Sequence, residues 1–127
     1  MTRLVVQGTV FAALLGVWTW KLVSPNPVPD DLRSGLDDLG LAYLAAKSLH
    51  LSGYAFLTVL AATLPVPRWW RVGLVLMLYA HGVATEVIQT FVPNRTGKAT
   101  DVLIDWAGIT LGAFAVRLRN RRGGTRP

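Results

Sequence analysis

The chain has 127 residues, a mean hydropathy of +0.41, 52% hydrophobic residues and only 16% charged ones. Soluble domains carry about 25% charged residues, so this composition points to a small integral membrane protein and excludes a disordered chain. Cysteine is absent, which excludes disulfides, thiol catalysis and cysteine metal sites. The net charge is +6, yet the basic residues border long apolar runs and form no patch on a polar surface. Nucleic-acid binding is therefore not expected.

The first apolar run spans about residues 4–23, interrupted only by Gln7 and Lys21. Arg3 followed by an apolar stretch also suits a signal peptide. No small-x-small cleavage site follows Trp20, however, so an uncleaved span is expected. Pro25, Pro27 and Pro29 then predict an extended linker. Beyond them Leu32, Leu36, Leu39 and Tyr43 are spaced as one helical stripe. That stripe fits a helix lying on the membrane surface or an outward extension of the second span.

The second span is predicted at about 45–64, the third at 69–91 and the fourth at 102–118. Pro65-Val66-Pro67 turns the chain between the second and third spans, and residues 93–98 loop between the third and fourth. The fold class expected is all-α: one domain over 1–127, a four-helix transmembrane bundle with a basic tail at 117–127. With both termini in the cytoplasm, Arg3, Arg68, Arg71 and the five tail arginines give eight basic residues inside against five outside. The Lys/Arg bias thus favours that orientation. Trp18, Trp20, Trp69, Trp70 and Trp106 lie near span ends and are expected to be interfacial anchors.

Charged side chains inside a bilayer cost several kcal/mol unless paired or hydrated. Three spans carry polar groups on single faces: Lys47, His50 and Tyr54 on the second, Gly82, Glu86 and Gln89 on the third, and Asp101, Asp105, Gly108 and Gly112 on the fourth. Counted at about 1.5 Å per residue, the ionisable ones lie at similar depth, with Arg95 in the short loop nearby. Turned toward one another they make a hydrated cluster near the outer leaflet, and the glycines let the helices approach closely. A plainer reading treats them as helix-end charges, with Lys47 snorkelling and Asp101 or Thr100 as an N-cap. His81, one step round from Gly82, fits packing and site equally.

The series Lys47-x-x-His50-x-x-x-Tyr54, Glu86-x-x-Gln89-x-Phe91-x-Pro93-x-Arg95 and Asp101-x-x-x-Asp105-x-x-Gly108-x-x-x-Gly112 resembles the VanZ-like membrane proteins over roughly residues 40–115. The resemblance implies a multi-pass protein of the bacterial inner membrane acting on or near the cell envelope. It also implies a link to resistance to the glycopeptide teicoplanin. The chain departs from the family pattern twice: Ala46 stands where an Asp is frequent, and Asp105 where Asn is usual.

Three functions fit these residues. In the first, Arg95, Lys47 and His50 donate to the phosphate of an anionic or lipid-linked glycan headgroup, while Glu86, Gln89 and Asp101 accept from hydroxyls or orient the cations. In the second, His50 with Glu86, Asp101 or Asp105 performs acid-base chemistry on such a lipid. The carboxylates would suit Mg²⁺ or Mn²⁺ there, although no nucleophile stands out and no metal-binding set or cofactor is assigned. The third is a small proton-coupled transporter built on Glu86.

Overall fold

The computed structural model of the protein describes residues 2–25 and 30–123. Pro27, Pro29 and Arg126 lie outside them, so the extended linker expected between 25 and 29 does too. Five helices account for nearly all of this: α1 (Thr2–Val23), α2 (Asp30–Asp38), α3 (Ala42–Thr63), α4 (Arg68–Gln89) and α5 (Ala99–Gly123). There is no strand among the described residues. α1, α3, α4 and α5 are each long and apolar enough to cross a membrane. The protein is an all-α, four-span bundle.

Proline marks three of the helix ends. α1 stops at Val23, where Ser24 donates to the Trp20 carbonyl at 2.6 Å and Pro25 cannot continue the helix. α3 ends at Leu64, whose ψ of 141° is the extended backbone that a following proline requires. Pro67 precedes α4 in the same extended state. α5 has Asp101 in its first turn and Arg121 and Arg122 in its last, charges that complement the helix dipole at both ends.

The stripe Leu32–Leu36–Leu39–Tyr43 does not run along one helix. α2 ends at Asp38, and Gly40 takes a left-handed φ of 66°, a conformation that costs glycine little. α2 is therefore a separate nine-residue helix and not an extension of the second span. Leu39 and Tyr43 are both exposed.

The four spans alternate in direction. The start of α1 lies by the end of α3, where Val6, Gln7 and Val10 meet Leu60, Thr63 and Leu64. The end of α1 lies by the start of α3, where Trp18 meets His50 and Tyr54. α3 and α5 run parallel and pack most intimately of all. Gly108 and Gly112 of α5 lie against the backbone carbonyls of Leu51 and Ala55, and any Cβ added at either position would collide with them. Two small residues one turn apart thus set the α3–α5 spacing.

The radial order of polarity inverts that of a soluble protein. Val5, Val17, Leu76, Val87, Leu111 and Phe114 are exposed on the outside, while His50, Thr58, Thr85, Glu86, Gln89, Asp101 and Asp105 are buried. Lipid, unlike water, does not drive apolar side chains inward, so the interior can be given to groups that need one another. The purely apolar part of the core cluster is Phe11, Leu22, Leu57, Ala61, Leu64, Leu78 and Ile109.

Candidate functional site

The polar residues gather at the end of the bundle where α1 and α4 finish and α3 and α5 begin. From α3, Lys47, His50 and Tyr54 look inward along one face. Lys47 Nζ pairs with Asp101 Oδ1 of α5, and its ammonium also lies 5.2 Å from the centre of the Tyr43 ring. With Ala46 supplying no local acid, Lys47 is neutralised across the helix interface. Asp101 sits within the first turn of a helix that starts at Ala99, its own N–H bonded to the Lys98 carbonyl at 2.8 Å, so neither it nor Thr100 is the N-cap.

One turn deeper, the His50 imidazole donates from Nδ1 to Asp105 Oδ1 at 2.8 Å. Asp105 is wholly buried, and its second oxygen has no hydrogen-bond partner among the described residues. The same holds for Glu86 Oε1 and Gln89 Nε2. Glu86 Oε2 accepts the Lys98 backbone N–H at 2.9 Å, which ties α4 to the entry of α5.

Below these, Tyr54 is completely buried, its hydroxyl 2.9 Å from His81 Nδ1 and 3.4 Å from Thr85 Oγ1. His81 Nε2 is in turn 2.8 Å from Thr19 Oγ1 on α1. Both ring nitrogens of His81 are committed, and the residue links α1, α3 and α4. Of the two roles open to it, the packing one matches this geometry.

The loop between α4 and α5 closes over the cluster. Asn94 holds a left-handed φ of 62°, which asparagine tolerates better than most residues. Gly97 lies so close to the Glu86 carbonyl that no side chain would fit. Arg95 reaches across to α1 and donates from Nη2 to the Leu22 carbonyl at 2.8 Å, while its Nε is buried without a partner. The Leu22 carbonyl belongs to the last turn of α1, whose carbonyls have no partner within the helix. Arg95 is thus a strap as well as a charge. Burial pulls its guanidinium below the usual pKa, and Glu86 and Asp101 oppose that shift.

Between loop and helices lies an open cleft of about 200 Å³. Of the eight residues singled out from the sequence, Lys47, His50, Gln89, Arg95 and Asp101 line it. Tyr54, Glu86 and Asp105 lie beneath it. Asn94, Thr96 and Lys98 also line it and were not foreseen; their signal was a polar loop joining two polar stripes. Thr85, Thr19 and Trp18 were missed as well. Trp18 is no interfacial anchor: its ring stands edge-on to His50 and Tyr54, at 6.2 and 6.0 Å, and fills the space over Gly53, where a Cβ would meet it at 2.6 Å. Trp20, Trp69, Trp70 and Trp106 are exposed.

The sequence model of the family described as VanZ/LLP1 matches residues 6–120. The chain belongs to the VanZ-like family. The match takes in the first span too, beyond the 40–115 over which the resemblance was legible. It joins the four spans and the loop that covers the cleft into one VanZ-like unit, a multi-pass membrane protein. No curated protein and no solved structure matches the chain.

Proposed function

We propose that this VanZ-like protein binds the phosphate-bearing headgroup of a lipid-linked component of the bacterial cell envelope in the cleft under the α4–α5 loop. The single observation that carries the reading is the concentration of buried or half-buried donors around that cleft. Lys47, His50, Gln89 and Arg95 all line it, and Gln89 Nε2 and Arg95 Nε have no internal partner. Desolvated donors of this kind gain most from an anion. The cleft is small, about 200 Å³, so the phosphoryl group is the part of the ligand proposed to enter it. The glycan and the lipid chain would then lie outside it, in water and in the bilayer.

The Lys/Arg bias supports a cleft facing away from the cytoplasm, in an inner membrane, which is where envelope precursors are handled. A contribution to teicoplanin resistance follows as the physiological form of the proposal. Below the cluster the core is apolar, with Leu57, Ala61, Leu64 and Leu78 buried, which supports binding over passage of a polar substrate through the bundle.

The test is binding of a polyprenyl-diphosphate-linked sugar to the purified protein in nanodiscs, compared with the dephosphorylated lipid. Arg95→Gln removes the charge and, being shorter, also the Nη2 bond to the Leu22 carbonyl, so its melting temperature is compared with that of the wild type alongside binding. A charged hydrogen bond contributes about 1.5–3 kcal/mol, so affinity should fall about 10- to 150-fold. Equal binding of both lipids, or unchanged binding by Arg95→Gln, would overturn the proposal.

A further inference from the structure

Two carboxylates beneath the cleft each keep one oxygen that no neighbour satisfies. Asp105 is 0% exposed and Glu86 4% exposed, and Oδ2 of the first and Oε1 of the second are buried without a hydrogen-bond partner among the described residues. The nearby cations are engaged elsewhere: Lys47 on Asp101, Arg95 on the Leu22 carbonyl. Two carboxylates buried close together repel each other whenever both are ionised.

His50 stands with them. One ligand atom each from His50, Glu86 and Asp105 can be chosen so that all three lie within 4.8 Å of one another, and the three residues come from three different helices. Ligand atoms about 2.1 Å from one ion are about 3.0–4.2 Å apart in tetrahedral or octahedral geometry. From separations of up to 4.8 Å, the trio closes by up to about 1.8 Å to reach them, a rotamer-scale adjustment of side chains. One member, Glu86, is already oriented by a contact from outside the trio, the Lys98 N–H, the kind of support that outer contacts provide around bound metals.

The geometry points to a divalent metal site formed by His50, Glu86 and Asp105. One imidazole and two carboxylates make a borderline-hard donor set, which suits Zn²⁺ or Mn²⁺ and neither the all-oxygen sites of Ca²⁺ nor the sulfur sites of Cu(I). The ion balances both negative charges with the imidazole neutral. Three protein ligands leave at least one coordination position open, and His50 lines the cleft, so the open side faces it. Water or a phosphate oxygen can complete the shell. This site stands whether or not the cleft takes a lipid headgroup.

The full chain, purified into nanodiscs and stripped with chelator, is titrated with Zn²⁺ and with Mn²⁺ alone, without any lipid substrate. Bound metal is counted by mass spectrometry, and affinity is read by competition with a chromophoric chelator. One ion per chain is expected, with a rise in melting temperature on addition. Losing an outer-sphere partner already weakens metal sites about 10- to 100-fold, so Asp105→Asn and Glu86→Gln should each lose more than about tenfold in affinity. Asp38→Asn, on the exposed end of α2, should lose nothing. Absence of stoichiometric metal from the wild-type chain would overturn the site, as would affinities unchanged in both variants. Should either variant fail to fold, Co²⁺ added to the wild type decides: visible bands of a nitrogen-oxygen site are expected, and a spectrum identical to aqueous Co²⁺ refutes it.

Discussion

Alanine at Gly112 tests whether the α3–α5 seam fixes the site. A Cβ there would lie 2.5 Å from the Ala55 carbonyl oxygen and 2.9 Å from Thr58 Cβ. Carbon-to-oxygen contacts between packed helices settle at about 3.3–3.6 Å, so α5 must retreat from α3 by about 1 Å. Neither neighbour can yield alone, since one is backbone and the other a β-branched side chain whose hydroxyl is bonded to the Tyr54 carbonyl at 2.8 Å. Overpacking of this kind costs about 1–3 kcal/mol, partly offset by the gain of up to about 1 kcal/mol that alanine brings over glycine within a helix. Gly16 on α1 is the control, because nothing lies within 4 Å of its added Cβ and only the gain applies. Thermal unfolding in one detergent should therefore show Gly112→Ala melting below the wild type and Gly16→Ala at or above it. The same retreat should lengthen the His50–Asp105 contact, now 2.8 Å, and weaken any ligand held there. A Gly112→Ala protein as stable as the Gly16→Ala protein would refute the claim that these glycines set the helix spacing.

Other perturbations probe other contacts. Lys47→Met leaves Asp101 buried with its cation gone, and breaking such a pair from one side costs about 3–5 kcal/mol; Lys47→Met combined with Asp101→Leu should recover most of that loss in a melting experiment. Tyr54→Phe removes a hydroxyl shared by His81 and Thr85 and should lower stability by about 1–3 kcal/mol, with the His81 ring resonances shifting in NMR. Because the chain has no native cysteine, single cysteines at Thr96 and Arg121 report sidedness cleanly. Impermeant reagent outside the cell should modify the first and not the second, and the reverse pattern would invert the topology proposed for the cleft.

The spans were legible because bilayer thickness imposes a length that hydropathy reveals directly. The inward polar faces were legible because a charge within a span has few tolerable places to be. Depth and helical phase brought Lys47, His50, Asp101 and Asp105 to one level, but which cation meets which acid was open, and the pairs Lys47–Asp101 and His50–Asp105 come from the structure. What could not be read was the rotation of α1. A tryptophan near the end of a span suits the interface and the interior equally, and Trp18 turns inward only because Gly53 of α3 leaves room for its ring. Arg95 reads as a ligand-binding charge in the sequence, yet its Nη2 goes to a carbonyl 73 residues away, a pairing that local spacing does not encode. The leucine stripe after the linker obeyed helical periodicity and was still broken, because one glycine at φ 66° outweighs a pattern of four side chains.

The confinement of the buried ionisable groups to one end of the bundle makes the molecule sided. A copy inserted upside down would present its cleft to the wrong leaflet, and no internal symmetry would restore a second mouth. In the topology proposed for the cleft, the arginines far from it matter as much as those beside it, because a Lys/Arg bias sets which way a bundle threads and so which compartment its mouth samples.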